Sequence, residues 1–192
     1  WHKWCNGTNE EKYRRSCKKD LMLSEELELP QIYCDMDQVL VDFLGGAADV
    51  LGMDFREANR DTRWKLLDAH PDFFFNLPPM PDWKILWNFI RKYDPFILSA
   101  SPRSSFDKAS IDKKKWCKKY LKIDESRVYT VHRQDKKHFA KDGRDGRPNI
   151  LIDDHPKNIG EWKDSGGIGV LHMPFNAKNT VKQLITIGFG RR

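Results

Sequence analysis

Residues 32–43, IYCDMDQVLVDF, place three aspartates directly behind a short apolar run. Ile32 to Cys34 has the composition of a buried strand, and Asp35, Asp37 and Asp42 follow it within eight positions. Each carboxylate ionises near pH 4 and repels the others at this spacing. The stretch therefore predicts a compensating cation at the end of a buried strand.

The composition is that of a packed, water-soluble globular protein. The chain has 192 residues, of which 39% are hydrophobic and 32% are charged, and its net charge is +6. A modest basic excess favours nucleotides, nucleic acids or phosphorylated metabolites as ligands. Because no run approaches the roughly 18–20 apolar residues of a membrane span and no signal peptide is visible, we expect a cytoplasmic protein with no membrane partner.

Short apolar runs alternate with helix-like segments along the chain. Because the runs are short and bounded by polar residues, this alternation predicts an α/β protein with a Rossmann-like parallel sheet and helices on both faces. The predicted strands are Ile32 to Cys34, Pro95 to Leu98, Val128 to Val131, Ile150 to Ile152 and Ile168 to Leu171.

Residues 44–80 interrupt this alternation, since they are rich in aromatic residues and end in the Pro-punctuated DFFFNLPPMP. We expect a small helical cap here, inserted after the first strand into a core formed by residues 29–43 and 81–192. Residues 1–28 read as an N-terminal appendage. Because the first residue is Trp1 and not Met, we expect a trimmed chain or a domain of a longer polypeptide.

Polar side chains follow three of the predicted strands. Ligands of open parallel sheets bind beyond the carboxyl ends of the strands, so these side chains are expected to converge. Oxygen ligands of this kind suit Mg²⁺, and carboxylates with Mg²⁺ suit phosphoryl transfer. The converging residues are Asp35 and Asp37 after the first strand, Ser99 after the second, and Asp153 and Asp154 after the fourth.

These segments, with a lysine between the last two, resemble the four motifs of the haloacid dehalogenase superfamily of phosphatases. The resemblance implies that Asp35 is the nucleophile that forms an aspartyl-phosphate and that Asp37 is the acid and base. It implies that Ser99 binds the transferring phosphoryl group. It assigns Mg²⁺ to Asp153, Asp154, the Asp35 side chain and the Asp37 backbone carbonyl.

Other interpretations of the same residues stay open. The lysine of the third motif is Lys136 or its neighbour Lys137, and either can be an ordinary surface lysine. Asp153 and Asp154 can instead cap a helix that starts at Pro156. Gln38 stands where the superfamily usually has glycine, so a tight turn must accept a side chain.

Within the superfamily, DMDQVLVDF, FFFNLPPMP, SASP and LIDDHPKNIGEW resemble segments of the 5'(3')-deoxyribonucleotidases. That resemblance implies a nucleoside monophosphate as substrate, with the deoxynucleoside form preferred. It also implies that aromatic side chains of the cap stack on the base, although each of them can equally be a core residue of the cap. The substrate-binding candidates are Phe43, Trp64, Ser101, Arg103 and one phenylalanine of the FFF run. For that phenylalanine, Phe74 and Phe75 are preferred over Phe73.

The segments DKKKWCKKY and HRQDKKHFAKDGRDGR are dense in basic residues. A solvated helix face and a loop explain them without a ligand. The alternative is a surface for a polyanion, with the protein removing 3'-phosphates from DNA or RNA ends. A third hypothesis is a nucleotide- or nucleic-acid-binding module that has lost phosphatase activity. The replacement of the usual glycine by Gln38 would then be a sign of that loss.

Overall fold

A computed structural model of the chain describes residues 29–190, and the predicted appendage lies outside them. A five-stranded sheet forms the centre, in the order β3-β2-β1-β4-β5, and all four strand pairings are parallel. The predicted α/β architecture is confirmed. The strands are β1 (Ile32–Cys34), β2 (Phe96–Ala100), β3 (Val128–Val131), β4 (Ile150–Asp153) and β5 (Ile168–Leu171).

Two strands extend further than the sequence predicted. Ser99 was expected to follow β2, but it lies inside that strand because it pairs with Thr130 of β3. Asp153 likewise belongs to β4, where it pairs with Leu171 of β5. Both polar side chains are thus held by a hydrogen-bonded backbone instead of a loop.

Seven α-helices and four short 3₁₀ segments connect the strands within residues 29–190. In this part of the chain no helix has both the length and the apolar character needed to cross a bilayer. The α-helices are α1 (Phe43–Leu51), α2 (Arg60–Ala69), α3 (Phe73–Asn76), α4 (Trp83–Ile90), α5 (Phe106–Tyr120), α6 (Pro156–Asp164) and α7 (Ala177–Ile187); the 3₁₀ segments are Arg91–Tyr93, Arg103–Ser105, Glu125–Arg127 and Arg133–Phe139.

Alternate residues of the strands point to opposite faces of the sheet, and each face has its own helical layer. Cys34 and Ile152 belong to the larger core, which α4, α5 and α7 complete with buried side chains such as Trp87. Leu151 belongs to the second core, beneath Trp162 of α6. Burial on both faces explains why the strands are continuous apolar runs.

Helices α1, α2 and α3 follow β1, in the stretch where the sequence predicts a cap, and are called the cap below. Lys108 of α5 donates from Nζ to the carbonyls of Asp68 and His70 at 2.8 and 2.9 Å, which satisfies the exposed end of α2. Ser105 also donates to the Asp68 side chain. These contacts fix α2 beside the carboxyl end of β2.

Candidate active site

The loop after β1 turns back on itself and delivers both aspartates of the first motif. Leu40 and Val41 donate their N–H groups to the Met36 carbonyl at 2.8 and 2.9 Å. Gln38 takes a left-handed backbone, with φ of 59°, which is the conformation that glycine would adopt without strain. The glycine of the haloacid dehalogenase pattern is therefore replaced here by Gln38, whose backbone is strained.

Gln38 gains contacts that glycine could not make. With its amide oxygen turned toward α1, it accepts from the N–H groups of Phe43 and Leu44 at 3.1 and 2.8 Å. Asp42 completes the cap by accepting from Gly45 N at 2.9 Å. Three N–H groups at the start of α1 are thus satisfied, which offsets part of the backbone strain.

Asp35 lies at the centre of the site and is 6% exposed. Its Oδ1 accepts from Met36 N, and its Oδ2 lies 2.8 Å from Lys136 Nζ, which is also 2.8 Å from Asp153 Oδ2. Burial disfavours the charged form of Lys136, but the two carboxylates outweigh it and raise the pKa of this lysine. Of the two lysine candidates, Lys136 is buried at the site and Lys137 is exposed.

A second buried lysine holds Asp37. Lys113 of α5 donates to Asp37 Oδ2 at 2.7 Å, to Ser99 Oγ at 2.8 Å and to the Ala100 carbonyl at 2.9 Å. Burial raises the pKa of Asp37, and the ammonium of Lys113 opposes that increase. Asp37 Oδ1 is buried and has no hydrogen-bond partner among residues 29–190.

Lys113 was not among the site residues predicted from the sequence, because the lysines of DKKKWCKKY were interpreted as a solvated helix face. Lys113 is 0% exposed, so that interpretation is wrong at this position. The missed signal is helical spacing, since Lys113 lies four residues after Ala109 and four before Cys117, both of which are buried core residues.

Asp153 is fully buried and tightly held. Its carboxylate accepts from His155 N at 2.8 Å and from Asn158 Nδ2 at 3.0 Å to each oxygen. Asn158 in turn accepts from Arg133, which forms a two-pronged ion pair with Glu161. The N-cap of α6 is His155, so the alternative that the aspartate pair caps this helix is wrong.

Asp35, Asp153 and Asp154 each offer a carboxylate oxygen, and these oxygens lie within 4.8 Å of one another. Burial, then Asp35 and Asp153, raise the pKa of Asp154 to about 8 in the metal-free protein. Clustered carboxylates with this mutual repulsion fit a hard divalent cation with oxygen ligands, such as Mg²⁺. Asp37, the fourth predicted ligand residue, lies in the same loop as Asp35.

The cap aromatics form one packed group around Phe43. Its ring centroid lies 6.3 Å from that of Phe74, in a stacked arrangement, and 6.0 Å from that of Trp64. Phe43 and Phe74 are at most 8% exposed and belong to the larger core, whereas Trp64 is half-buried. Phe75 lies apart from this group, with Lys119 Nζ 4.9 Å from its ring centroid.

A cleft of about 510 Å³ opens between the cap and the sheet. It is lined by Trp64 and Lys65 of α2, by Ser101 and Arg103 after β2, and by the segment after β3. Ser101 is buried, and its hydroxyl lies 3.3 Å from that of Ser110. Three of the predicted substrate-binding residues thus share one cleft.

The architecture also occurs in known proteins. No family model matches the chain, and no curated protein matches it by sequence. A solved hydrolase from Streptococcus pneumoniae TIGR4 has a TM-score of 0.50 and 11% identity, over 83% of this chain and 100% of that one. This chain has the fold of that hydrolase.

Two further solved structures are similar at lower TM-scores. A HAD family hydrolase from Deinococcus radiodurans R1, solved with bound phosphate and sodium, has a TM-score of 0.47 and 15% identity over 84% of this chain and 89% of that one. A phosphonoacetaldehyde hydrolase-like protein from Oleispira antarctica has a TM-score of 0.45 and 12% identity over 84% and 86%.

Proposed function

We propose that this protein is a Mg²⁺-dependent phosphomonoesterase of the haloacid dehalogenase type that hydrolyses nucleoside monophosphates through an aspartyl-phosphate. The observation that supports this most directly is the pairing of two buried lysines with two aspartates. Lys136 holds Asp35, and Lys113 holds Asp37 together with Ser99. Such a site carries both a nucleophile and an acid beside fixed positive charge.

In the first step, a carboxylate oxygen of Asp35 attacks phosphorus and the bond from phosphorus to the ester oxygen breaks. Asp37 gives its proton to the departing oxygen, which leaves as the nucleoside hydroxyl. The Asp37 side chain is 28% exposed, so the carboxyl group can reach a substrate, and Lys113 fixes it by donating to Oδ2. The raised pKa of Asp37 favours the protonated form that the step requires.

In the second step, water attacks the phosphorus of the aspartyl-phosphate. Asp37, now a carboxylate, takes the proton of that water, and the bond between phosphorus and the Asp35 oxygen breaks. Inorganic phosphate leaves and both aspartates return to their starting protonation states. The ammonium groups of Lys113 and Lys136 supply positive charge beside the phosphoryl group in both steps, and the Ser99 hydroxyl binds one of its oxygens.

Asp35, Asp153 and Asp154 would hold Mg²⁺, together with the backbone carbonyl of Asp37. When bound, the ion supplies positive charge that neutralises the transferring phosphoryl group. Asn158 and His155 N keep the Asp153 carboxylate in one orientation, because each donates to it. The site is therefore rigid before metal and substrate arrive.

A nucleoside is the leaving group that the cleft beside the site supports best. Trp64 offers a flat aromatic surface, and its ring packs against the buried Phe43 and the half-buried Phe55. Nucleobases bind such surfaces by stacking. The cleft volume of about 510 Å³ lies within the range of small-molecule sites.

The test is release of inorganic phosphate from a panel of ribo- and deoxyribonucleoside monophosphates, with Mg²⁺ or with a chelator. We expect Mg²⁺-dependent release by the wild type and background release by Asp35→Asn. Equal, background-level release by both proteins, with p-nitrophenyl phosphate included as a generic ester, would overturn the proposal and favour a binding module.

A further inference from the structure

The cleft between the cap and the sheet is distinct from the acidic cluster but close to it. Ser101 in its wall lies two residues after Ser99, and the Ser99 hydroxyl shares the ammonium of Lys113 with Asp37. Two residues of extended chain span at most about 7 Å. A group in the cleft can therefore belong to the same molecule whose phosphate lies at Asp35.

Positive charge lines this cleft. Lys65 and Arg103 are exposed, and neither forms an ion pair within residues 29–190. Arg133 is a third cation in the wall, already paired with Glu161 at 2.9 Å. Asp61 is the one carboxylate among the described residues that line the cleft. Two uncommitted cations thus face a space next to the proposed phosphoryl site.

Trp64 lines the cleft together with these cations and also packs against the cap aromatics. Its ring packs edge-on against Phe55, with centroids 5.2 Å apart, and it also lines the cleft. An aromatic surface beside free lysine and arginine is the combination with which proteins bind a base and its neighbouring phosphate together. A neutral nucleoside would use the aromatic surface and leave both cations without a partner.

We propose that the cleft binds a second phosphate carried by the leaving nucleoside. The preferred substrate is then a nucleoside phosphorylated at two positions of its sugar. This inference rests on the proposed function, because it concerns the leaving group of the same reaction. Lys65 and Arg103 bind the phosphate that is not transferred, and Trp64 stacks on the base.

The first test compares kcat/KM of the wild type for a nucleoside 3'-monophosphate, the matching 5'-monophosphate and the 3',5'-bisphosphate. We expect the bisphosphate to be preferred by about tenfold or more, since charge-assisted contacts to phosphate are strong. Equal kcat/KM for all three would overturn the inference while leaving the proposed function intact. No release from any nucleotide or from p-nitrophenyl phosphate would instead overturn the proposed function.

Substitutions in the cleft test whether its cations cause the preference for the bisphosphate. In Arg103→Gln and Lys65→Gln, we expect the ratio of kcat/KM for bisphosphate over monophosphate to fall about tenfold, mostly through KM. Arg91→Gln and Lys182→Gln, which remove exposed cations outside the cleft, are the matched controls and should keep the wild-type ratio. A wild-type ratio in both cleft variants would overturn the assignment.

The second phosphate can come from a free nucleotide or from the adjoining phosphodiester of a polynucleotide end. A 3'-phosphorylated oligonucleotide distinguishes these sources. If the polynucleotide is the source, its KM is lower than that of the bisphosphate and rises steeply with salt, because bound phosphates release counterions. If the free nucleotide is the source, the bisphosphate has the lower KM and the oligonucleotide shows no advantage.

Discussion

The ammonium of Lys113 lies 2.7 Å from Asp37 Oδ2, inside the protein, with its two other donors on Ser99 and Ala100. A lysine with all three donors satisfied and 0% exposure is held in one place. It therefore orients the Asp37 carboxyl group and joins the β1 loop to the end of β2. Removing the ammonium should affect turnover more than metal binding.

Lys113→Gln tests this role. We expect kcat to fall about a hundredfold or more, the scale of a misplaced acid–base group, while Mg²⁺ affinity stays close to that of the wild type. Steady-state phosphate release and calorimetric Mg²⁺ titration give the two quantities. Lys115→Gln, on the exposed side of the same helix, is the matched control and should match the wild type. A folded Lys113→Gln protein with wild-type kcat would contradict the assigned role.

Asn158→Ala should weaken metal binding without unfolding the protein. The Asn158 amide donates to both oxygens of Asp153 and accepts from Arg133, so its loss frees the Asp153 carboxylate to rotate. Loss of such an orienting contact typically lowers metal affinity by about 10- to 100-fold. Titration of Mg²⁺ alone measures the change, and Asn179→Ala on the exposed surface of α7 is the control. An unchanged Kd for Asn158→Ala would show that Asp153 needs no such support.

Asp154→Asn should stabilise the metal-free protein at alkaline pH. The pKa of this carboxyl group rises from 3.8 to about 8 on folding, so its contribution to stability is present below about pH 4 and is lost as the pH rises to about 8. At pH 8 we expect the metal-free variant to be more stable than the wild type by about 1 kcal/mol or more, equivalent to about 2–4 °C in Tm.

Thermal unfolding with a chelator and then with Mg²⁺ checks this prediction. Mg²⁺ should raise the Tm of the wild type and have little effect on Asp154→Asn, because the variant lacks one ligand. The difference between the two metal-free proteins should shrink as the pH is lowered toward 4. A metal-free variant less stable than the wild type at pH 8 would contradict the clustering of the three carboxylates.

Substitutions of Gln38 separate the cost of its left-handed backbone from the stabilisation by its contacts to the start of α1. Gln38→Gly removes the left-handed strain and the two contacts to α1, so we expect unfolding free energy to change by less than about 1 kcal/mol. Gln38→Ala keeps the strain and loses the contacts, so it should be less stable than Gln38→Gly by about 1–2 kcal/mol. Urea unfolding measures both. Equal stability of the two variants would show that the backbone at φ 59° carries no strain.

The sequence predicted the sheet and the convergence of Asp35, Ser99 and Asp153 because both follow from general rules. Short apolar runs separated by helical segments give a parallel sheet, and polar residues at the ends of its strands meet at one edge. The boundaries were less accurate, since Ser99 and Asp153 prove to lie within strands that pairing with neighbours extends.

Lys113 and Arg133 could not be assigned in the same way. Lys113 stands in a run of lysines whose composition indicates solvent, and only its helical spacing distinguishes it from its neighbours. Arg133 contacts Asn158, which is 25 residues away along the chain and belongs to another element. Such long-range contacts depend on how the elements pack, which no local pattern specifies.

Nucleophilic attack by Asp35 is tested most directly by mass spectrometry of the protein quenched in acid during turnover with Mg²⁺ and a nucleotide. We predict one added phosphoryl group on the peptide that contains Asp35, its accumulation in Asp37→Asn as hydrolysis slows, and its absence in Asp35→Asn. Phosphate release by Asp35→Asn at the wild-type rate, with no modified peptide in any of the three proteins, would contradict nucleophilic attack by Asp35.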